Sequence, residues 1–173
     1  KMKEFLESIG ILDKMKFDIE EVGTPLSFKW RDCKLKTVSY GHGITTTPIQ
    51  LAKGYAILAN GGFQVNPTLI KKRFDKLKRQ KILNNDVSVN LNYMLRKVVT
   101  NGTASLSDVE GYEVGGKTGT AQIVENGLYT KKKINTFASV FPISNPRYVL
   151  VVLLEDTKLS KDYVYKYRNK TGS

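Results

Sequence analysis

Hydrophobic positions along the first ten residues repeat at helical spacing. Met2, Phe5, Leu6 and Ile9 fall at i, i+3, i+4 and i+7, and Gly10 follows as a stop, so the pattern predicts a short amphipathic helix over 2–9. Residues 11–40 hold no sustained period. Gly23-Thr24-Pro25 marks a turn there, and the stretch reads as loop with strand-like pieces. The strongest helical pattern opens at Thr47-Pro48-Ile49-Gln50 and closes at Gly61-Gly62. Thr47 can cap, Pro48 suits the first turn, and Gln50 can reach back to the cap amide. Leu51, Ala52, Tyr55, Leu58 and Ala59 form a stripe that Ala56 and Ile57 widen, so this helix is expected to be central and buried. A second long helix is predicted from Asn85-Asp86 to Asn101-Gly102. It carries Val87, Leu91, Met94, Leu95 and Val98 on one face, with Arg96-Lys97 near its negative C-terminal end.

After Gly111 the period becomes extended. Residues 115–124, 136–141 and 148–154 are rich in Val, Ile, Thr, Phe and Tyr, with turn signals around Glu125-Asn126-Gly127 and Ser144-Asn145-Pro146. Three consecutive strands with short connections pair antiparallel. The unbroken apolar run from Tyr148 to Leu154 predicts an inner strand covered on both faces, with the two long helices as the cover. Helices followed by an antiparallel sheet give an α+β fold, the sheet flanked by helices. With no internal repeat and no linker, residues 1–173 read as one structural unit.

Composition narrows the chemistry. The chain has 173 residues, a formal charge of +12, one His and one Cys. Cys33 has no intrachain disulfide partner, and one His with one Cys cannot make a zinc site, so neither a metal nor a cofactor is expected. Any Ser-His-Asp triad would rest on His42, which reads instead as a loop histidine with a turn-stabilising hydrogen bond, in a bend held by Gly41 and Gly43. Trp30, Tyr40 and Tyr55 read as core or interface, and Cys33 as a small buried or half-buried hydrophobe. No window approaches 18 uninterrupted apolar residues, and no basic-then-apolar signal pattern opens the chain. Its start at Lys1-Met2-Lys3 and its polar stop suggest a fragment of a longer protein. The run Lys71-Lys72-Arg73-Phe74-Asp75-Lys76-Leu77-Lys78-Arg79-Gln80-Lys81 holds seven cations and one anion. It lacks a recognition-helix pattern and a stacking set, so nucleic acid is not expected and a solvated hairpin between the long helices is the plainer reading. Attraction to anionic lipid or a polyanionic wall polymer stays open.

The most informative stretch is Val114-Gly115-Gly116-Lys117-Thr118-Gly119-Thr120-Ala121-Gln122, where three glycines sit at the opening of a strand. Glycine weakens a strand, so its presence there points to a close approach by another backbone or a ligand. Thr118 and Thr120 share a face by the two-residue period, so both can donate to one carboxylate. Lys117 adds positive potential, and unpaired edge amides can accept an extended peptide. Such a site suits a peptide with a terminal carboxylate.

Lys117-Thr118-Gly119 resembles the Lys-Thr-Gly signature of the penicillin-binding proteins and serine β-lactamases. The resemblance is carried further by Asn101-Gly102-Thr103-Ala104, by Gly111-Tyr112-Glu113-Val114 leading into the signature, and by Tyr40-Gly41-His42-Gly43-Ile44-Thr45-Thr46-Thr47-Pro48-Ile49-Gln50-Leu51-Ala52. The last segment is similar to class B enzymes, and its Gly-His-Gly-Ile form to their division-specific transpeptidases. This implies the C-terminal part of a penicillin-binding transpeptidase domain, a partial serine β-lactamase-like fold. In that family a serine attacks the bond between the terminal D-alanines of a peptidoglycan stem peptide, and an acceptor amine resolves the acyl-enzyme. By resemblance, Lys117 helps hold the carboxylate and shapes proton transfer, and Thr118 and Thr120 bind the carboxylate. The Thr120 N–H completes the oxyanion hole, and Gly116 and Gly119 keep the strand approachable. Penicillin and other β-lactams would use the same groups. The family further implies a membrane anchor N-terminal to Lys1, division-complex partners, and a place on the periplasmic face of the inner membrane. An elongation-type transpeptidase, a carboxypeptidase or a non-enzymatic basic module binding an anionic polymer are the alternatives.

The chain departs from the family in having no Ser-x-x-Lys, so its nucleophile is expected upstream of Lys1 and the chain alone is expected to be inactive. Ser88-Val89-Asn90 matches Ser-x-Asn but falls inside the second long helix, where Ser88 and Asn90 read as helix surface. A second Lys-Thr-Gly at 170–172 lies in a polar tail without a strand pattern.

Overall fold

The computed structural model describes residues 1–20, 22–71, 79–125 and 128–158. The elements are α1 (Met2–Ser8), α2 (Asp32–Val38), α3 (Pro48–Ala59), α4 (Asn85–Asn101), a 3-10 turn at Ser105–Ser107, β1 (Gly115–Glu125), β2 (Leu128–Phe141) and β3 (Tyr148–Glu155). They fall into two compact units, Lys1–Asn92 and Tyr93–Ser173. The second Lys-Thr-Gly copy and residues 72–78 of the basic run lie outside the described residues. Phe63 forms an isolated antiparallel bridge with Lys81.

In the first unit, Ile9, Ile11 and Ile57 form the buried centre, with Phe5, Leu6, Leu12 and Ile44 packed around them. The capping box of α3 forms: the Gln50 N–H donates to Thr47 Oγ1 at 3.3 Å, and the Thr47 N–H donates to Gln50 Oε1 at 2.9 Å. The buried face of α3 keeps Ile57 and Ala59 of the expected stripe but is otherwise turned from it. Gln50, Gly54, Ile57 and Ala59 are buried, whereas Leu51, Ala52, Tyr55 and Leu58 are half-buried. Two features select that face. Gly54 has no side chain, so Ile9 and Ile11 approach within ordinary contact distance of where a Cβ would stand. The Gln50 amide donates to the Asp13 carbonyl at 2.7 Å and lies within reach of the Gly10 and Ile11 carbonyls, which satisfies a polar group with no exposure at all.

α2 replaces loop in the 11–40 stretch. Asp32 in its first turn suits the helix N-terminus, and Val38 is its only buried residue, so seven residues were too few to show a period. α4 has the expected ends, but its buried positions are Ser88 and Val99, and Val87 and Met94 are exposed. Ser88 is thus a correction to the helix-surface reading, which holds for Asn90. The Ser88 hydroxyl donates to the Leu58 carbonyl and accepts from the Gly61 N–H, and Asn92 Nδ2 donates to the Ala59 carbonyl. These side chains satisfy groups at the end of α3, rotating the inward face of α4 by about one residue. No basic residue occupies the last turn of α4, so Arg96 and Lys97 do not cap it.

The second unit is a three-stranded sheet of order β1-β2-β3, antiparallel throughout. Val99, Ala104 and Val114 form its buried cluster, with Val98, Phe137 and Phe141 against it. β3 is not the inner strand expected. It pairs with β2 alone, and Leu150, Val152, Leu153 and Leu154 stay between 40% and 49% exposed. An apolar run identifies a strand, but only neighbours bury it, and the described residues supply one neighbour.

Candidate active site

β1 starts under constraint. The Arg96 guanidinium donates to the Val114 carbonyl at 2.8 Å and to Asp108 Oδ1 at 2.7 Å, tying α4 and the 103–114 segment to the residue that precedes the strand. Gly115 and Gly116 are then buried. A Cβ on Gly115 would stand 2.7 Å from Ile143 Cδ1, and one on Gly116 would stand 2.7 Å from the Ala138 carbonyl and 2.8 Å from the Phe137 ring. The close approach that two of the three glycines announced is therefore made by the protein itself. Gly119 differs, because nothing lies within 4 Å of its absent Cβ.

From Lys117 onward no residue of β1 is buried and, among the described residues, the strand has a neighbour on one side only. Its free edge therefore directs amides and carbonyls outward. The register pairs Thr118 with Phe137, Gly119 with Thr136 and Thr120 with Asn135. Thr118 and Thr120 share one face, and Lys117 and Gly119 the other. The Lys117 ammonium curls back to donate to the Thr118 carbonyl at 2.8 Å, bringing its charge beside the threonines. Thr118 Oγ1 lies 3.0 Å from Thr103 Oγ1, and Thr120 Oγ1 donates to Asn135 Oδ1 at 3.0 Å. Asn135 is 4% exposed and donates in turn to Thr157 Oγ1 at 3.3 Å.

The structure brings Gly116, Lys117, Thr118, Gly119 and Thr120 together on one strand, and it adds two residues that the sequence reading did not assign. Thr103 carried weight only as part of a motif. Asn135 had a weak signal, a polar residue sharing strand parity with Phe137 and Ser139 in β2. His42 is half-buried, with its ring 5.4 Å from that of Tyr40, and its backbone N–H closes a turn onto the Thr37 carbonyl. Gly41 and Gly43 hold that bend at φ +87° and +77°. Cys33 is exposed, against its reading as a buried or half-buried hydrophobe, and Tyr40 is exposed, which removes the core half of its core-or-interface reading. Trp30 is half-buried and tilts against Phe28. Tyr55 is half-buried, and burial pushes its phenol up from the ordinary range. No described helix is long and apolar enough to cross a membrane.

Comparison with known proteins identifies the family of the chain. The family model described as the penicillin binding protein transpeptidase domain matches residues 1–172. The chain is 32% identical over 158 residues to a peptidoglycan D,D-transpeptidase FtsI homolog of Mesostigma viride, covering 78% of this chain and 26% of that protein. It is 29% identical over 173 residues to the stage V sporulation protein D of Bacillus subtilis, covering 91% and 27%. The solved structure of a peptidoglycan glycosyltransferase from Burkholderia ambifaria superposes with a TM-score of 0.79 at 28% identity, covering 90% of this chain and 48% of that one. The chain thus spans about a quarter of the length of the curated relatives it matches.

Proposed function

Because the chain belongs to the family of penicillin-binding protein transpeptidase domains, we propose that it supplies the carboxylate-gripping part of a peptidoglycan D,D-transpeptidase. The observation that carries this reading is the open edge that β1 has among the described residues, where two hydroxyls on one face lie beside a lysine ammonium and a glycine whose absent Cβ would meet nothing within 4 Å. A stem peptide ending in D-Ala-D-Ala lies along that edge as an added strand. Thr118 and Thr120 donate to its terminal carboxylate, and Lys117 lowers the energy of the bound anion. The Thr120 N–H and the nucleophile's own amide stabilise the oxyanion.

The nucleophile is a serine supplied by sequence N-terminal to Lys1, since no Ser-x-x-Lys occurs in the chain. It adds to the penultimate carbonyl, D-alanine leaves, and an acceptor amine of a neighbouring stem takes the acyl group. Penicillins enter the same site because they present a carboxylate beside a strained amide. The Tyr40–Ala52 segment and the FtsI name of one relative favour the division-type enzyme, working with division-complex proteins at the periplasmic face of the inner membrane through an N-terminal anchor.

A fluorescent penicillin tests this directly. The full-length protein that carries the chain is expected to be labelled, and residues 1–173 alone to remain dark. Replacing Thr118 and Thr120 together by valine should slow labelling by about tenfold or more, as expected for two lost hydrogen bonds to a charged group. Labelling of the isolated chain, or full-speed labelling of the double variant, overturns the reading.

A further inference from the structure

A threonine hydroxyl has one hydrogen, and the structure shows the Thr120 hydrogen already spent. Thr120 Oγ1 donates inward to Asn135 Oδ1 at 3.0 Å, while Asn135 Nδ2 donates to Thr157 Oγ1 at 3.3 Å. In that arrangement Thr120 can offer a ligand carboxylate only lone pairs, which repel it. The two ends of a carboxamide have nearly the same shape, however. Half a turn about the Asn135 Cβ–Cγ bond exchanges Oδ1 and Nδ2 with the heavy atoms in place. Nδ2 then donates to Thr120 Oγ1, Oδ1 accepts from the Thr157 hydroxyl, and both ends stay satisfied because each hydroxyl can donate or accept. The Thr120 hydrogen is thereby released toward the free edge of β1.

We propose that Asn135 is a positioning residue whose amide orientation switches Thr120 from inward donor to carboxylate donor, with Thr157 as the partner that makes both orientations equally satisfied. Burial is what gives the switch authority. At 4% exposure Asn135 has no water to turn to, so an orientation that left either end unpaired would carry the full desolvation penalty. The opposed position is fixed by register, Thr120 of β1 standing directly opposite Asn135 of β2. The hydrogen bonds polarise one another when the chain runs Asn135 to Thr120 to carboxylate, so the anion is held more strongly than by an isolated hydroxyl. The inference rests on the carboxylate-gripping reading of Thr120.

The test measures acylation of the full-length protein by a penicillin and by the methyl ester of the same penicillin. Asn135→Asp places an acceptor-only group behind Thr120 and locks its hydrogen inward. The acid penicillin should lose roughly tenfold or more in acylation rate constant relative to its ester, the scale of a lost charge-assisted hydrogen bond. Asn135→Leu leaves the hydroxyl without an inward acceptor, so its hydrogen stays free and the acid-to-ester ratio should fall less than in Asn135→Asp. Simple repulsion by the new carboxylate would persist when Thr120 is valine, whereas the switch predicts that Asn135→Asp then changes the ratio by less than about twofold. Full loss in the Thr120→Val background overturns the switch, as does an Asn135→Leu variant worse than Asn135→Asp. If Thr120→Val alone leaves the acid-to-ester ratio unchanged, Thr120 does not grip the carboxylate and the underlying reading fails with it. Acylation by the ester reports that each variant is folded.

Discussion

Thr118 and Thr120 are alike in the sequence, yet the residues behind them differ. Thr120 faces a buried amide, whereas Thr118 faces the hydroxyl of Thr103 at 3.0 Å in an exposed position. Either of that pair can donate, so when Thr118 turns its hydrogen to a carboxylate, Thr103 can supply one to the lone pair left behind. Water competes for the same role because the pair is exposed, which limits what Thr103 contributes. Thr103→Val should therefore slow penicillin acylation of the full-length protein by about twofold to tenfold, the range of a neutral hydrogen bond, and by less than Thr118→Val does. Stopped-flow acylation of the two single variants checks the order. A Thr103→Val rate as low as that of Thr118→Val would mean that Thr103 itself contacts the ligand.

Along β1 the same small residue has two different reasons to be present, and they separate experimentally. Gly116 is closed in by the Phe137 ring and the Ala138 carbonyl, and Gly119 by nothing. Gly116→Ala forces the strand away from β2 and should destabilise by about 1–3 kcal/mol, as overpacked sites do. Gly119→Ala should unfold within about 0.5 kcal/mol of the parent, a surface change, yet slow acylation because its Cβ narrows the open space beside the strand that a peptide approaches. Chemical denaturation alongside labelling reads both, and a Gly119→Ala protein labelled at the parent rate would remove Gly119 from the site. The strand and its signature were legible in the sequence because turn chemistry and the extended period are local. The inward faces of the helices were less so. The buried contacts of Gln50 and Ser88 are hydrogen bonds to carbonyls distant in the chain, and a hydropathy stripe ranks both as outward. Asn135 escaped for the same reason, since its partners at 120 and 157 meet it only through register. The short α2 was hidden by its length.

Across the molecule, the outer edge of β3 is the largest unbalanced feature among the described residues. Tyr148-Val149-Leu150-Val151-Val152-Leu153-Leu154 offers seven consecutive apolar residues without charge or proline, paired on one side only. Natural edges are usually blunted by charge, proline or a bulge, and β3 has none before Glu155. Such an edge recruits a second strand. Opposing this is the charge of +12, which makes two copies repel at long range. At physiological ionic strength that repulsion is screened beyond about 8 Å, whereas strand pairing acts at contact, so attraction wins. Residues 1–173 alone should therefore self-associate, more strongly as salt is raised, and light scattering across a concentration and salt series measures it. Val152→Lys puts a charge on a 40% exposed edge position and should reduce association of the isolated chain. In the full-length protein proposed above, where further sequence is available to cover β3, the same lysine should lower stability instead. A monomeric isolated chain that ignores salt, or a Val152→Lys change that acts in the same direction in both contexts, would show that β3 is an edge by design and needs no cover.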